Sequence, residues 1–114
     1  MVNKWEIYFC DLNPTQGSEQ QGTRPVLVIS NDSVNHVLPI ATVLPLSSMK
    51  QGDKIYPTEI QLSTAMTGLP KDSVVMVQQI RTVAHQRLSS KAGELADNDL
   101  RESVKEALRQ YFEI

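Results

Sequence analysis

At 114 residues, with 40% apolar and 21% charged side chains, the chain is sized for one soluble domain with a real core and no room for a second. The net charge of −2 is unevenly spread: residues 1–90 carry seven acidic and seven basic side chains, residues 91–114 six acidic and four basic. So neutral a body argues against duplex DNA, which is bound by wholesale phosphate neutralisation, and leaves room for single-stranded RNA held by a few arginines and hydrogen bonds.

Lys4 to Asp11 alternates, with Trp5, Ile7 and Phe9 on one face and Glu6, Tyr8 and Cys10 on the other, which predicts a strand. Asp11-Leu12-Asn13-Pro14 reads as a turn, and Thr15–Thr23 as a polar loop bracketed by Gly17 and Gly22. Pro25–Ser30 predicts a second strand, apolar enough to be covered on both faces. Pro25 fixes φ at its start, and Arg24 before it is pushed toward extended geometry. Asn31-Asp32-Ser33 breaks the strand, and Asn35 and His36 follow in a loop. Val37–Leu46 reads as a third strand ending at Ser47-Ser48, with a loop over Met49–Asp53.

Ile55–Leu62 predicts a fourth strand, at an edge because of Pro57. Ser63–Gly68 predicts one helical turn. Ser73–Gln79 predicts a fifth strand, which Ile80–Val83 either continues or leaves through Arg81. His85–Ser90 reads as polar connection, and Lys91–Leu95 stays unassigned. Asp99–Phe112 predicts a helix with Leu100, Val104, Ala107, Leu108 and Tyr111 as its buried stripe and Asp99 with Glu102 as a capping box. These elements predict a mainly β fold with a C-terminal helix, built as a strongly bent antiparallel sheet or partly open barrel. Its sheet edges invite cover by dimerisation.

The single Cys10 excludes an intramolecular disulfide and suits a reducing compartment. No apolar run reaches membrane-spanning length, and the first residues lack a signal-peptide core, so a cytoplasmic location with no membrane partner is expected. His36, His85 and Cys10 lack metal-ligand spacing, and Gly17 and Gly22 lack the spacing of a nucleotide fingerprint; no metal and no cofactor is expected. Cys10 in a buried strand is expected to be inert.

The chemistry that remains sits where strands meet loops: Arg24, Ser47-Ser48 and Gln79-Ile80-Arg81-Thr82. In a small barrel those ends can converge on one rim. Two arginines with hydroxyls and amides suit a phosphodiester, because RNA supplies its own 2′-OH nucleophile and only the phosphorane charge needs holding. Taken singly, Ser47-Ser48 read better as an exposed loop and Arg81 as a surface ion pair.

The motifs decide between these. Glu6-Ile7-Tyr8, Asp11-Leu12-Asn13-Pro14, Gly17-Ser18-Glu19-Gln20, Gly22-Thr23-Arg24-Pro25-Val26-Leu27-Val28-Ile29-Ser30-Asn31-Asp32, Pro45-Leu46-Ser47-Ser48 and Gln79-Ile80-Arg81-Thr82 resemble, nearly end to end, the MazF/PemK toxin family. The resemblance implies an SH3-like barrel of the CcdB/PemK type, a homodimer, and toxin function in a type II toxin–antitoxin pair. It also implies metal-independent, sequence-specific cleavage of single-stranded RNA to 2′,3′-cyclic phosphate and 5′-OH ends, and inhibition by a MazE-like antitoxin with a disordered segment.

By the same resemblance Arg24 matches the catalytic arginine and Ser47 a position usually held by threonine. The groove-shaping or RNA-contacting candidates are Ser18, Glu19, Gln20, Thr23, Asn31, Ser48, Gln79, Arg81 and Thr82. Serine for threonine keeps the hydroxyl and loses the methyl that stiffens χ1. Trp5 stands where the family typically has glycine, Ser18 where some relatives have histidine, and Met76 and Gln78 where others use arginine and aspartate. Arg24 is expected to stabilise phosphorane charge, leaving the proton to Arg24 in a perturbed state or to water. Two alternatives stand beside this. One is a gyrase poison of the CcdB type, whose Trp-containing C-terminus is replaced here by Tyr111-Phe112-Glu113-Ile114; the other is a catalytically weak RNA-binding relative.

Overall fold

The first strand, β1 (Glu6–Asp11), begins two residues later than its alternation predicts because Trp5 takes a left-handed backbone, φ 74°. For a bulky residue this costs about 1–3 kcal/mol, which is the physical reason a glycine fits here. Trp5 offsets the strain by burial: its ring is packed in the core, with Lys4 Nζ 5.1 Å and Arg101 Cζ 5.4 Å from its centroid. The computed structural model describes residues 1–49, 52 and 54–114; of the expected Met49–Asp53 loop, Lys50, Gln51 and Asp53 lie outside the described residues.

Strand β2 (Thr23–Val28) is covered on both faces as predicted, with Leu27 in one apolar cluster and Val26 and Val28 in another. In β1 the simple alternation breaks down. Cys10 is fully buried while Phe9 stands 36% exposed, because register shifts against the last strand at Ile7/Tyr8 and Tyr8/Cys10 re-aim the side chains. The break after β2 is a one-turn helix, α1 (Asp32–Asn35). Strand β3 (Ile40–Ser48) starts later than expected, and Val37 and Leu38 stand out into solvent on the turn before it.

Strand β4 (Glu59–Leu62) is shorter than predicted, with Pro57 before it, and α2 (Thr64–Thr67) closes on Gly68 at φ 81°. Strand β5 (Ser73–Met76) stops short because Val77–Gln79 form a 3-10 turn, and β6 (Arg81–Ala84) resumes beyond it. Leu88–Glu94 is a seven-residue strand, β7, where the sequence reads polar connection to Ser90 and leaves Lys91–Leu95 unassigned. Helix α3 (Asn98–Phe112) is capped by Asp97, whose carboxylate accepts from Leu100 N–H at 2.9 Å, and not by the expected Asp99–Glu102 box. Val104 and Ala107 are buried and Leu100 and Leu108 pack beside them, whereas Tyr111 is 43% exposed, past the edge of the sheet.

The sheet runs β4-β5-β3-β2-β1-β7, all antiparallel, with β6 also on β3. Edge position for β4 agrees with the sequence. The ends β4 and β7 do not pair, so the expected SH3-like barrel is a bent, open sheet that approaches a barrel without closing. One core lies between the sheet and α3; the other, around Cys10, Leu12, Val26, Val28, Ala41, Val43 and Val83, fills the opposite face. Close approach fixes Gly93: a Cβ there falls 2.0 Å from the Thr67 carbonyl oxygen, where β7 crosses α2.

Candidate functional site

The site follows from how β3 changes partners. Its middle pairs with β2 through Val28–Val43, Leu27–Leu44 and Val26–Pro45. Beyond Pro45, which has no N–H to extend a ladder, β3 turns to β5 through Leu46–Val75, Ser47–Val74 and Ser48–Ser73. The strands therefore part as they approach the β1–β2 loop. Carrying the β2–β3 register two residues outward sets Arg24 across from Ser47. The opening between them is a cleft of about 400 Å³ lined by Arg24, Ser47, Ser48, Ser73 and the loop residues Gln21, Gly22 and Thr23.

Arg24 is half-buried on rigid strand backbone, paired across from Cys10 of β1. Its Nε donates to the Gln21 carbonyl at 2.8 Å, which fixes the plane of the guanidinium. Among the described residues no carboxylate pairs with it and its two Nη groups make no hydrogen bond. A guanidinium with one edge anchored and its outer fork open is a ready acceptor of a phosphate's charge.

The loop beside it is held from outside. Gln79, in the 3-10 turn after β5, donates from Nε2 to the Ser18 carbonyl at 3.0 Å and accepts at Oε1 from Gln20 N–H at 3.3 Å. Within the loop, Glu19 accepts from Gln16 N–H at 2.6 Å, and Asn13 Oδ1 accepts from Gly22 N–H at 3.1 Å. The 3-10 turn is an insertion in an otherwise continuous strand. Leu46 faces Val75 and Val43 faces Arg81, so three steps along β3 span six along the β5–β6 segment. That surplus brings Gln79 to the loop, while the Gln78 side chain is held by Glu59 and Thr58. A second depression, about 190 Å³, lies there among Glu19, Gln20, Gln78, Gln79 and Arg81.

Of the residues singled out in the sequence, the chain brings Arg24, Ser47, Ser48 and Thr23 into one cleft, with Gln20, Glu19 and Gln79 in the neighbouring depression and Ser18 on the same loop. Two are placed elsewhere. Asn31 lies off the far end of β2, on the order of 20 Å from Arg24 along an extended chain, and its side-chain oxygen caps α1 by accepting from Ser33 N–H at 2.9 Å. Thr82 faces Thr42 at that same far end, their hydroxyls 2.8 Å apart. Arg81 lines the neighbouring depression, and its Nη1 donates to the Leu12 carbonyl at 2.9 Å.

Cys10, under this floor, is fully buried; burial pushes its thiol above the usual range against the opposing pull of Arg81 and Arg87, which keeps it protonated and inert. Among the described residues no three His, Cys, Asp or Glu side chains gather as a ligand set, and no helix is long and apolar enough to cross a membrane.

The sequence missed a further group. A second cleft, about 240 Å³, shares Ser47 and Ser48 with the first and is otherwise lined by Lys54, Ile55, Tyr56, Glu59, Val74 and Met76. Tyr56 is 52% exposed, with Lys54 Nζ 5.2 Å from its ring centroid. Its signal was present in Lys54-Ile55-Tyr56-Pro57, an aromatic between a lysine and a proline, but reading those residues as strand hid it.

Comparison with known proteins gives the family. Residues 3–112 match the family described as PemK-like, MazF-like toxins of type II toxin–antitoxin systems. Endoribonuclease EndoA of Bacillus subtilis (strain 168) is 41% identical over 109 residues, covering 96% of this chain and 92% of that protein. MazF from Deinococcus radiodurans superposes with a TM-score of 0.81 over 99% of this chain and 97% of its own, at 23% identity. A mycobacterial endoribonuclease solved with its cognate antitoxin gives 0.80 over 100% and 97%, at 19% identity. These two structures share the fold.

Proposed function

The chain belongs to the PemK-like, MazF-like toxins of type II toxin–antitoxin systems and is an endoribonuclease; from that premise we propose that it cuts single-stranded RNA at Arg24 and Ser47 without a metal. The observation that carries this reading is the anchored guanidinium of Arg24 with its open fork, across the cleft from the Ser47 hydroxyl.

The substrate's 2′-OH oxygen attacks the adjacent phosphorus, the phosphorus–O5′ bond breaks, and the products carry a 2′,3′-cyclic phosphate and a 5′-OH. The nucleophile is internal to the RNA, so no activated water is needed for the cut. Negative charge builds on the non-bridging oxygens in the transition state, where the Arg24 Nη groups meet it and Ser47 orients one oxygen. A guanidinium does not give up its proton near neutrality, so Arg24 acts by charge, and water takes the 2′-OH proton and returns one to O5′. The tied loop through Ser18, Glu19 and Gln20, with Thr23 and Ser48, forms the wall along which the strand lies.

The active form in this reading is a homodimer. The exposed apolar group Met1, Val37, Leu38 and Ile40, beside the buried Nε2 of His85, which has no partner among the described residues, is the surface on which a second copy closes. A MazE-like antitoxin covers the cleft with a disordered segment that folds on binding.

The test is incubation of purified protein with a long RNA in a chelating buffer, with cut sites and end chemistry mapped. Discrete cuts ending in 5′-OH, lost in Arg24→Ala, are the expected result. Intact RNA at high protein concentration, or cuts that need added metal, overturns the mechanism.

A further inference from the structure

Resting on that reading of Arg24 and Ser47, we propose that the second cleft is a nucleobase subsite that selects guanine, read by the Glu59 carboxylate and stacked on Tyr56. Ser47 and Ser48 line both clefts and form the ridge between them. A nucleotide whose phosphate sits at Arg24 and Ser47 therefore has a neighbour that turns its base over the ridge. Single-stranded RNA is recognised in this way, by unstacked bases laid on aromatic side chains and read along their hydrogen-bonding edges. Tyr56 offers such a surface, more than half exposed and held just before Pro57. Lys54 approaches its ring and adds a cation where the RNA backbone enters.

Glu59 supplies the edge reader. It stands at the start of the edge strand β4, and both its oxygens are positioned by other groups. Oε1 accepts from the Tyr56 N–H at 3.0 Å, and Oε2 accepts from Gln78 Nε2 at 2.8 Å. Gln78 is fixed in turn by the Thr58 hydroxyl, which donates to its Oε1 at 2.8 Å. A carboxylate oxygen has two acceptor positions, so among the described residues each keeps one; the two hydrogen bonds hold the carboxylate against rotation where it lines the cleft. Guanine alone among the four bases carries two adjacent donors on one edge, the N1–H and the exocyclic N2 amino group. Adenine and cytosine offer one amino donor next to a ring acceptor, and uracil's single N3–H lies between two carbonyls that the carboxylate repels. A bidentate contact of this kind discriminates by roughly tenfold to a hundredfold.

The experiment maps cut sites of the wild type, Glu59→Gln and Tyr56→Ala on one long RNA. Wild-type cuts are expected to share a guanine within one or two nucleotides of the broken bond. Glu59→Gln presents one acceptor and one donor; Gln78 accommodates it by turning its carboxamide over, so the fold survives. The guanine requirement is expected to relax at that position alone while the rest of the motif holds. Tyr56→Ala is expected to lower kcat/KM roughly tenfold or more at every site, and inosine, which lacks the N2 amino group, should cut more slowly than guanine. Cuts with no shared guanine, or an unchanged guanine requirement in Glu59→Gln, overturn the proposal.

Failure of the cleavage reading itself is separable by binding. If wild-type protein cuts nothing, labelled 2′-O-methyl oligouridines carrying a single G, A or C are titrated by fluorescence anisotropy. Roughly tenfold tighter binding of the G oligomer, absent in Glu59→Gln, sustains the subsite; equal binding of all three ends it.

Discussion

Arg24 and Arg81 mark two regions of the molecule that look alike in the sequence and differ in the structure. Each arginine sits at the start of a strand, beside polar residues, within reach of the β1–β2 loop. Arg24 uses one nitrogen on the Gln21 carbonyl and keeps its outer fork free over the cleft. Arg81 donates inward to the Leu12 carbonyl, and Arg87 beside it donates to the Asp11 and Asn13 carbonyls, so this pair ties the loop's base to the body. The difference lies in where the donors point. A guanidinium bonded through an Nη to a carbonyl far along the chain ties two segments together, and one bonded through Nε to its own loop turns its outer edge to a ligand.

The sharpest way to break that distinction is Arg24→Ala. Removing the charge proposed to meet the phosphorane is expected to lower the cleavage rate by roughly 10²–10³, with the unfolding free energy within about 0.5 kcal/mol of wild type. Arg24→Lys should recover little of the loss, because an ammonium cannot reproduce the planar fork. Oligonucleotide cleavage and thermal denaturation on the same samples measure both. Equal rates for wild type and Arg24→Ala would remove Arg24 from the chemistry.

Arg81→Ala is expected to show the opposite profile. It leaves the Leu12 carbonyl without its charged donor, and the loss is expected to be about 1.5–3 kcal/mol of stability. Activity per folded molecule should fall far less than for Arg24→Ala. A stable Arg81→Ala protein with a crippled rate would move Arg81 into the site and erase the contrast.

This contrast was only partly legible in the sequence. Both arginines were singled out, and the strand-end position of Arg24 followed from Pro25 alone. What decided between them was the partner of each guanidinium: the Arg24 contact to Gln21 is local, but the Arg81 contact to Leu12 depends on tertiary placement. The apolar strand β2, the Gly68 stop and the α3 stripe from Leu100 to Leu108 were readable because period and turn chemistry fix them locally. Strand β7 was not, since Leu88-Ser89-Ser90-Lys91-Ala92-Gly93-Glu94 has weak strand preference and becomes a strand by pairing with β1. Trp5 was read as the start of a strand because no local signal marks a left-handed tryptophan held by a distant core.

Asn31→Ala separates the two ends of β2 more finely. The structure gives this side chain to the α1 cap, so its loss is expected to be about 1 kcal/mol of stability. Cleavage rate and cut motif measured on the folded variant should stay at wild-type values. A changed motif would extend the RNA path to the far end of the sheet and join Asn31 and Thr82 to it.

The smallest expected effect tests whether the edge opposite β4 is held by charge. Glu6 on β1 accepts from Asn3 N–H at 2.7 Å and from the Tyr8 hydroxyl at 2.9 Å, and its second oxygen lies 3.0 Å from Lys91 Nζ on β7. Burial pushes the Glu6 carboxyl up, but the hydrogen bonds from Lys91, Asn3 and Tyr8 outweigh it and leave it below its ordinary 4.5. Burial, reinforced by Glu6, raises the Tyr8 phenol to about 12, and the hydrogen bond to Glu6 holds the Lys91 ammonium above its ordinary 10.5. A carboxyl depressed in the folded state contributes stability that is complete above its unfolded value and is lost as pH falls through the folded one. For Lys91 and Tyr8, raised in the folded state, the contribution is complete below their unfolded values and is lost as pH rises through the folded ones. Stability should therefore be flat between about pH 5 and pH 9 as far as this cluster is concerned, and fall on both sides. Glu6→Gln is expected to flatten the acid limb, measured as the denaturant midpoint against pH, without altering cleavage at neutral pH. An acid limb unchanged in Glu6→Gln would show that packing alone holds β7 on β1.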